Sequence, residues 1–191
     1  MEREILLFVQ NHIRTEFLNG PVVFITKLGN AGIYWFCVLF ILMCIPRTRK
    51  AGFTAFVSMG IVYVLDIMLL KNIVCRMRPY DAIDELVPLV TPLADYSFPS
   101  GHSACSFAVS VVMFRMLPKY VGIPHLILAF FIALSRIYVG VHYPTDVLAG
   151  ACTGALFALL AEFGVNRFID IYKQYAQHTA SGKKRIDSEQ Y

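Results

Sequence analysis

Ile123–Asp146 reads IPHLILAFFIALSRIYVGVHYPTD: an apolar run that ends in an arginine, turns on glycine and proline, and closes on a carboxylate. A helix needs about 20 mostly apolar residues to cross the hydrocarbon core of a bilayer, and Ile123–Gly140 comes close to that. Downstream, Val147–Val165 is a second such run; upstream lie Ala51–Leu70 and Leu28–Ile45. Ser103–Leu117 is shorter, but its Arg115 sits near the end, where a long stem reaches the interface, so it reads as a fifth span. None of the runs shows the two-residue alternation of a membrane barrel, and backbone groups in lipid must be satisfied internally, so the spans are helices.

Composition agrees. The 191 residues allow one domain, and 57% hydrophobic against 16% charged excludes a soluble monomer and a disordered chain. Five cysteines without a CxxC pair form neither a zinc site nor a disulfide framework. In residues 1–18, Leu6, Val9, Ile13 and Phe17 recur at helical spacing among Glu2, Arg3, Glu4, Arg14 and Glu16, which predicts an amphipathic helix lying on the membrane, retained and followed by a turn at Asn19-Gly20-Pro21. The expected fold is therefore an all-α integral membrane protein: an interfacial helix over 1–18, a bundle of about five transmembrane helices over 19–166, and a basic cytoplasmic tail over 167–191, disordered around 180–185. Of the 17 Lys and Arg, ten fall between spans one and two, between three and four, or after five. The positive-inside rule puts that side in the cytoplasm and the loops 75–98 and 141–145 outside.

Three motifs meet at the outer boundary. Lys71-Asn72-Ile73-Val74-Cys75-Arg76-Met77-Arg78-Pro79 ends span two; alone, its cations equally suit lipid phosphates. Pro99-Ser100-Gly101-His102 turns into span three, where Ser100 and Gly101 offer backbone N–H groups to an anion, or simply cap the helix. Ser135-Arg136, His142 and Asp146 bridge spans four and five, so Asp146 in the first helical turn can fix the tautomer of His142 and leave its other nitrogen with a free lone pair. Three cations, a helix N-terminus and two histidines suit a multiply charged anion, phosphate above all. Phosphoryl transfer asks mainly for positioning and positive charge. The motifs lack the carboxylates that a magnesium or two-metal site uses, so neither metal nor cofactor is expected.

These three stretches resemble the signature of the type 2 phosphatidic acid phosphatase superfamily, which includes glucose-6-phosphatase and the vanadium haloperoxidases, and the surrounding helices are similar to its short bacterial members. The resemblance implies that His142 attacks phosphorus to give a phosphohistidine, that His102 protonates the leaving oxygen, that Asp146 orients His142, and that Lys71, Arg78, Ser100, Gly101 and Arg136 hold the phosphate oxygens. It implies a lipid phosphate as partner, with no nucleic acid, in a bacterial plasma membrane with the site on the extracytoplasmic side. Undecaprenyl diphosphate is the first expectation, then phosphatidylglycerophosphate and phosphatidic acid. Two other classes compete: an anion transporter, which has no need of the His142–Asp146 pair, and a serine hydrolase using Ser100 with His142.

Some residues are expected to be structural or peripheral. Asp66, costly within a span, must face the bundle, with a contact to Lys27 as the less favoured option. Lys27 edges the pocket, and Gly150 with Gly154 form a helix-packing face. His12, His125 and His178 have no partner at useful spacing. In the 24-residue loop 75–98, Leu86–Val90 either dips into the interface to guide a lipid tail or packs over the bundle mouth.

Overall fold

The computed structural model describes residues 1–189, the side chains of 31 and 179–189 excepted, and every regular element in them is helical. The N-terminal helix α1 (Glu2–Phe8) runs into a π-helical segment (Val9–Ile13), and the chain extends at Arg14 before α2 (Glu16–Leu28). The Thr15 hydroxyl caps α2 by accepting from the Leu18 N–H at 3.3 Å, so the helix starts there and carries Pro21 inside it. The turn expected at Asn19-Gly20-Pro21 is absent, because a capped helix absorbs one proline in its second turn at the loss of a single backbone bond. The apolar face of α1 has a protein partner: Leu6 is buried against Ile83 and Leu86.

The first expected span, Leu28–Ile45, forms its own α-helix only from Ile33. α3 (Ile33–Cys44) follows α2 after a short 3-10 turn (Asn30–Gly32), and the pair is bent by 50°. Gly32 holds a left-handed φ of 67°, which an L side chain resists. The second span is one rod: α4 (Arg49–Val62), a π-helical stretch (Tyr63–Leu70) and α5 (Lys71–Val74). After the short α6 (Pro79–Ala82) come α7 (Gly101–Met116), α8 (Lys119–Tyr138) and α9 (Pro144–Glu189). Three helices are long and apolar enough to cross a bilayer, or four if the bent pair counts as one crossing. The expected five is not reached by this measure because α7 has only 16 residues. The helix α9 also continues past the polar change after Glu162 and through 180–185, while the side chains of Lys183, Lys184 and Arg185 lie outside the described residues.

Centrally, α7 packs on α4, α8 and α9, with Ala104, Ala108, Val109 and Val112 wholly buried. Small side chains are what allow this. A Cβ on Gly150 would lie 2.5 Å from the Ser100 carbonyl oxygen, and one on Gly154 would lie 2.2 Å from that of Ala104, so α9 touches α7 backbone to backbone. The main core joins Trp35, Leu39, Val112, Met113 and Ile132, and the Trp35 indole donates to Ser106 Oγ at 3.0 Å. Asp66 Oδ2 accepts from Thr153 Oγ1 at 2.6 Å, a partner within the bundle in place of Lys27. At the far end, Arg115 pairs with Glu162 instead of reaching outward.

Candidate active site

The three motifs converge at the end of the bundle that carries α1. Cys75, at a left-handed φ of 49°, stops α5, and the chain from Arg76 to Arg78 runs extended into α6, where Pro79 takes the first helical position. Ser100 caps α7, and its own N–H donates to the Asp146 carbonyl at 3.0 Å. Gly140 makes the turn from α8 to α9 at a φ of 78°, which an L side chain resists, and a Cβ there would push Arg14 Nη2 aside from 2.6 Å.

His142 and Asp146 meet as their spacing predicts. His142 Nδ1 lies 3.5 Å from Asp146 Oδ2, and both side chains are buried. The carboxylate has further support: Arg76 Nη1 donates to Oδ1 at 2.5 Å, the Tyr143 N–H to Oδ2 at 2.9 Å, and Ser97 Oγ also to Oδ2. Arg76 in turn donates to Glu2 Oε2 at 2.6 Å, and Thr145 Oγ1 donates to Glu2 Oε1 at 2.6 Å, so the first turn of α1 is tied to the base of the histidine pair. The carboxylate favours a proton on Nδ1 and leaves Nε2 as the acceptor, facing Arg78 Nη1 at 3.3 Å. Burial, reinforced by the charges of Arg136 and Arg78 against the pull of Asp146, pushes His142 down to about 3. At neutral pH it is therefore an uncharged imidazole with a lone pair.

Lys71 and Arg78, both buried, converge on Asp95, a residue with no counterpart in the sequence motifs. Lys71 Nζ donates to Asp95 Oδ2, Arg78 Nη2 to Oδ1 at 2.5 Å and Arg78 Nε to the Asp95 carbonyl at 2.8 Å. Burial works against the ionised carboxylate, but Lys71 and then Arg78 outweigh it and hold Asp95 at about 2. Arg136 is buried, donates from Nη1 to Thr26 Oγ1 at 2.6 Å, and leaves its Nε without a partner. His102 Nε2 is 2.9 Å from Asn30 Oδ1, a contact supplied by the break between α2 and α3.

Lys71, Arg78, Asp95, His102, Gly101 and His142 line one end of a cavity of about 570 Å³. Its remaining wall is apolar, chiefly Phe36, Phe56, Met59, Tyr63 and Ile67. Two expectations fail. Lys27 is exposed and does not line this cavity; its buried neighbour Thr26 meets Arg136 instead. The Ser100 N–H is spent on Asp146 and its hydroxyl receives a bond from Ser103 Oγ at 3.1 Å; Ser100 and Arg136 are both buried and stand behind the residues that line the cavity. Of the two readings of the loop, packing over the mouth prevails: Leu86 is buried and the Leu89 N–H donates to the Val139 carbonyl at 3.0 Å. Asp95, Ser97 and Arg76's grip on Asp146 escaped the motif reading. The only sequence signal was acidic residues in a long loop between the cationic first motif and the Pro99–His102 turn.

Comparison with known proteins places these observations. Residues 51–168 match the family model of the PAP2 superfamily. An undecaprenyl-diphosphatase from Sulfolobus acidocaldarius is 34% identical over 151 residues, 79% of this chain and 72% of its own. LpxE from Aquifex aeolicus superposes with a TM-score of 0.74 at 26% identity, covering 83% of this chain and 92% of that one. A PAP2-type phosphatidylglycerolphosphate phosphatase from Bacillus subtilis superposes at 0.72 with 28% identity, covering 87% and 85%.

Proposed function

We propose that this chain, which belongs to the PAP2 superfamily and is an integral membrane lipid phosphatase, removes the terminal phosphate of undecaprenyl diphosphate at the extracytoplasmic face through a phosphohistidine. His142 Nε2 attacks the terminal phosphorus, an N–P bond forms as the P–O bond to the bridging oxygen breaks, and the lipid monophosphate leaves with a proton from His102 on that oxygen. Water, activated by His102, then cleaves the N–P bond to release inorganic phosphate and restore His142. Asp146 holds the His142 tautomer and stabilises its positive charge. Lys71, Arg78 and Arg136, with Gly101 and the Ser100 hydroxyl, neutralise the phosphate oxygens as charge redistributes.

The observation that carries this reading is the placement of His142, backed by Asp146, on the same cavity end as His102, Lys71 and Arg78. An anion transporter has no use for a buried, oriented imidazole beside a second one. The apolar limb of the cavity and the name of the Sulfolobus relative support a prenyl diphosphate over phosphatidylglycerophosphate or phosphatidic acid. The excess of Lys and Arg at the opposite end supports the outward orientation. The test is phosphate release by the purified protein in excess EDTA from a prenyl diphosphate, phosphatidylglycerophosphate and phosphatidic acid. The prenyl diphosphate should turn over fastest, and His142→Ala should abolish release from all three. Turnover by His142→Ala would overturn the phosphohistidine, and dependence on a chelatable ion the metal-free chemistry.

A further inference from the structure

The donors assigned above to phosphate already hold an anion that belongs to this chain. A guanidinium has five N–H groups, and Arg78 spends them on the Asp95 carboxylate and carbonyl, the Val141 carbonyl at 2.9 Å and His142 Nε2, which leaves one. Lys71 meets the other carboxylate oxygen. The carboxylate faces outward, its side chain 51% exposed, while those of Lys71 and Arg78 behind it are 6% and 2% exposed. Asp95 thus presents two oxygens to the two cations as a phosphate does, from the open side of the cavity.

We propose that Asp95 is an internal competing anion that sets which headgroups the site accepts: a phosphomonoester or terminal diphosphate displaces its carboxylate from Lys71 and Arg78, and a phosphodiester does not. The charges decide the exchange. A phosphodiester is a monoanion and gains nothing over the carboxylate it replaces, whereas a terminal phosphate brings a second charge and a third oxygen. The bilayer around the site consists largely of diester headgroups, so this discrimination keeps the pocket from filling with bulk lipid. Displacement also draws Arg78 off His142 Nε2, so the nucleophile is uncovered when a suitable phosphate arrives. After hydrolysis, the returning carboxylate helps expel inorganic phosphate.

The inference rests on Lys71 and Arg78 being phosphate ligands, and the experiment separates the two. Inhibition of lipid hydrolysis by inorganic phosphate and by phosphatidylglycerol is measured in mixed micelles for the wild type, Asp95→Asn and Lys71→Ala. A competitor that occupies the site most of the time weakens apparent affinity by the fraction it leaves free, so Asp95→Asn should tighten phosphate inhibition by about tenfold and turn phosphatidylglycerol into an inhibitor. Should the asparagine variant not fold, Asp95→Ser and Asp95→Ala are read in the same way. If Lys71→Ala weakens phosphate inhibition while the Asp95 variants leave it unchanged or weaken it too, Asp95 is a scaffold for the cations and the proposal alone falls. If phosphate tightens and phosphatidylglycerol still does not inhibit, the headgroup selection falls. If Lys71→Ala changes nothing, the anion site itself is misassigned and the proposal falls with it.

Discussion

Asp146 is buried and accepts from Arg76, Ser97 and the Tyr143 N–H while facing His142 Nδ1. A carboxylate held by that many donors stays ionised and takes no proton from the ring. In the proposed mechanism its work is orientation and charge, so replacing it by an amide should damage turnover in two ways: the amide nitrogen meets donors where an acceptor is needed, and the imidazolium loses its counter-charge. Asp146→Asn should lower kcat by about 10³–10⁴ and cost about 1–3 kcal/mol of stability for the buried bonds left unmade. Steady-state rates beside thermal unfolding in detergent check both; a near wild-type kcat in a folded variant would refute the role. His142 adds a pH prediction. As the proposed nucleophile it acts in the neutral form, and burial moves its protonation down to about 3. At saturating substrate kcat should therefore hold as pH falls through 6.5 and collapse only as the lower value is approached, whereas kcat/KM falls at about pH 6 as the headgroup loses its second charge; an acid limb of kcat near 6.5 would contradict the assignment. His142, Asp146, Lys71 and Arg78 were legible in the sequence because each pair lies within one short motif at a turn between helices, where spacing fixes proximity. Asp95 and Ser97 were not, because their meeting with Lys71 and Asp146 depends on the path of a loop with neither period nor motif.

At the scale of elements, the seam between α7 and α9 governs the site. It carries His102 at one N-terminus and Asp146 at the other, and the Ser100 N–H bond to the Asp146 carbonyl closes it at the top. The pair Gly150 and Gly154 was readable as a packing face from spacing alone, and the backbone approach bears that out. Gly154→Ala puts its Cβ against the Ala104 carbonyl and the Ala108 nitrogen, neither of which is a side chain able to rotate away. The helices must part, at about 1–3 kcal/mol, and the histidines separate with them, so activity should fall more than stability does. Gly164→Ala is the control on the same helix. Nothing lies within 4 Å of its Cβ, so it should be neutral or gain up to about 1 kcal/mol from helix propensity. Equal effects of the two substitutions on melting temperature would dismiss the seam. The break that precedes α3 was also written in the chain, as Gly29-Asn30-Ala31-Gly32. Mean apolarity concealed it, since hydropathy does not register a left-handed φ. Its consequence is functional: Asn30 reaches His102, and a Cβ on Gly29 would strike the His102 ring at 2.5 Å.

For the molecule as a whole, the surface is apolar where a bilayer would touch it. Phe40, Ile41, Phe53, Phe130 and Leu160 are exposed around the bundle, while Asp66, Lys71, Arg78, Arg136 and Asp146 are buried inside it. The cavity joins these two environments. Phe56, Met59, Gly60, Tyr63, Ile67 and Lys71 all line it from one face of the second helical rod, so a single stripe passes from an apolar limb to a headgroup cation. A lipid whose phosphate reaches Lys71 then lays the first part of its tail along this stripe, and the remainder stays in the membrane. Gly60 is the place to test this, since a Cβ there meets nothing within 4 Å and the side chain enters open space without disturbing the bundle. Gly60→Leu should displace roughly two methylene groups of tail, worth about 0.8 kcal/mol each, and raise KM for a long-chain lipid phosphate about tenfold. Hydrolysis of a short-chain, water-soluble phosphate ester should proceed at the wild-type kcat, because the catalytic end is untouched. Equal losses on both substrates would mean that the tail does not run past Gly60.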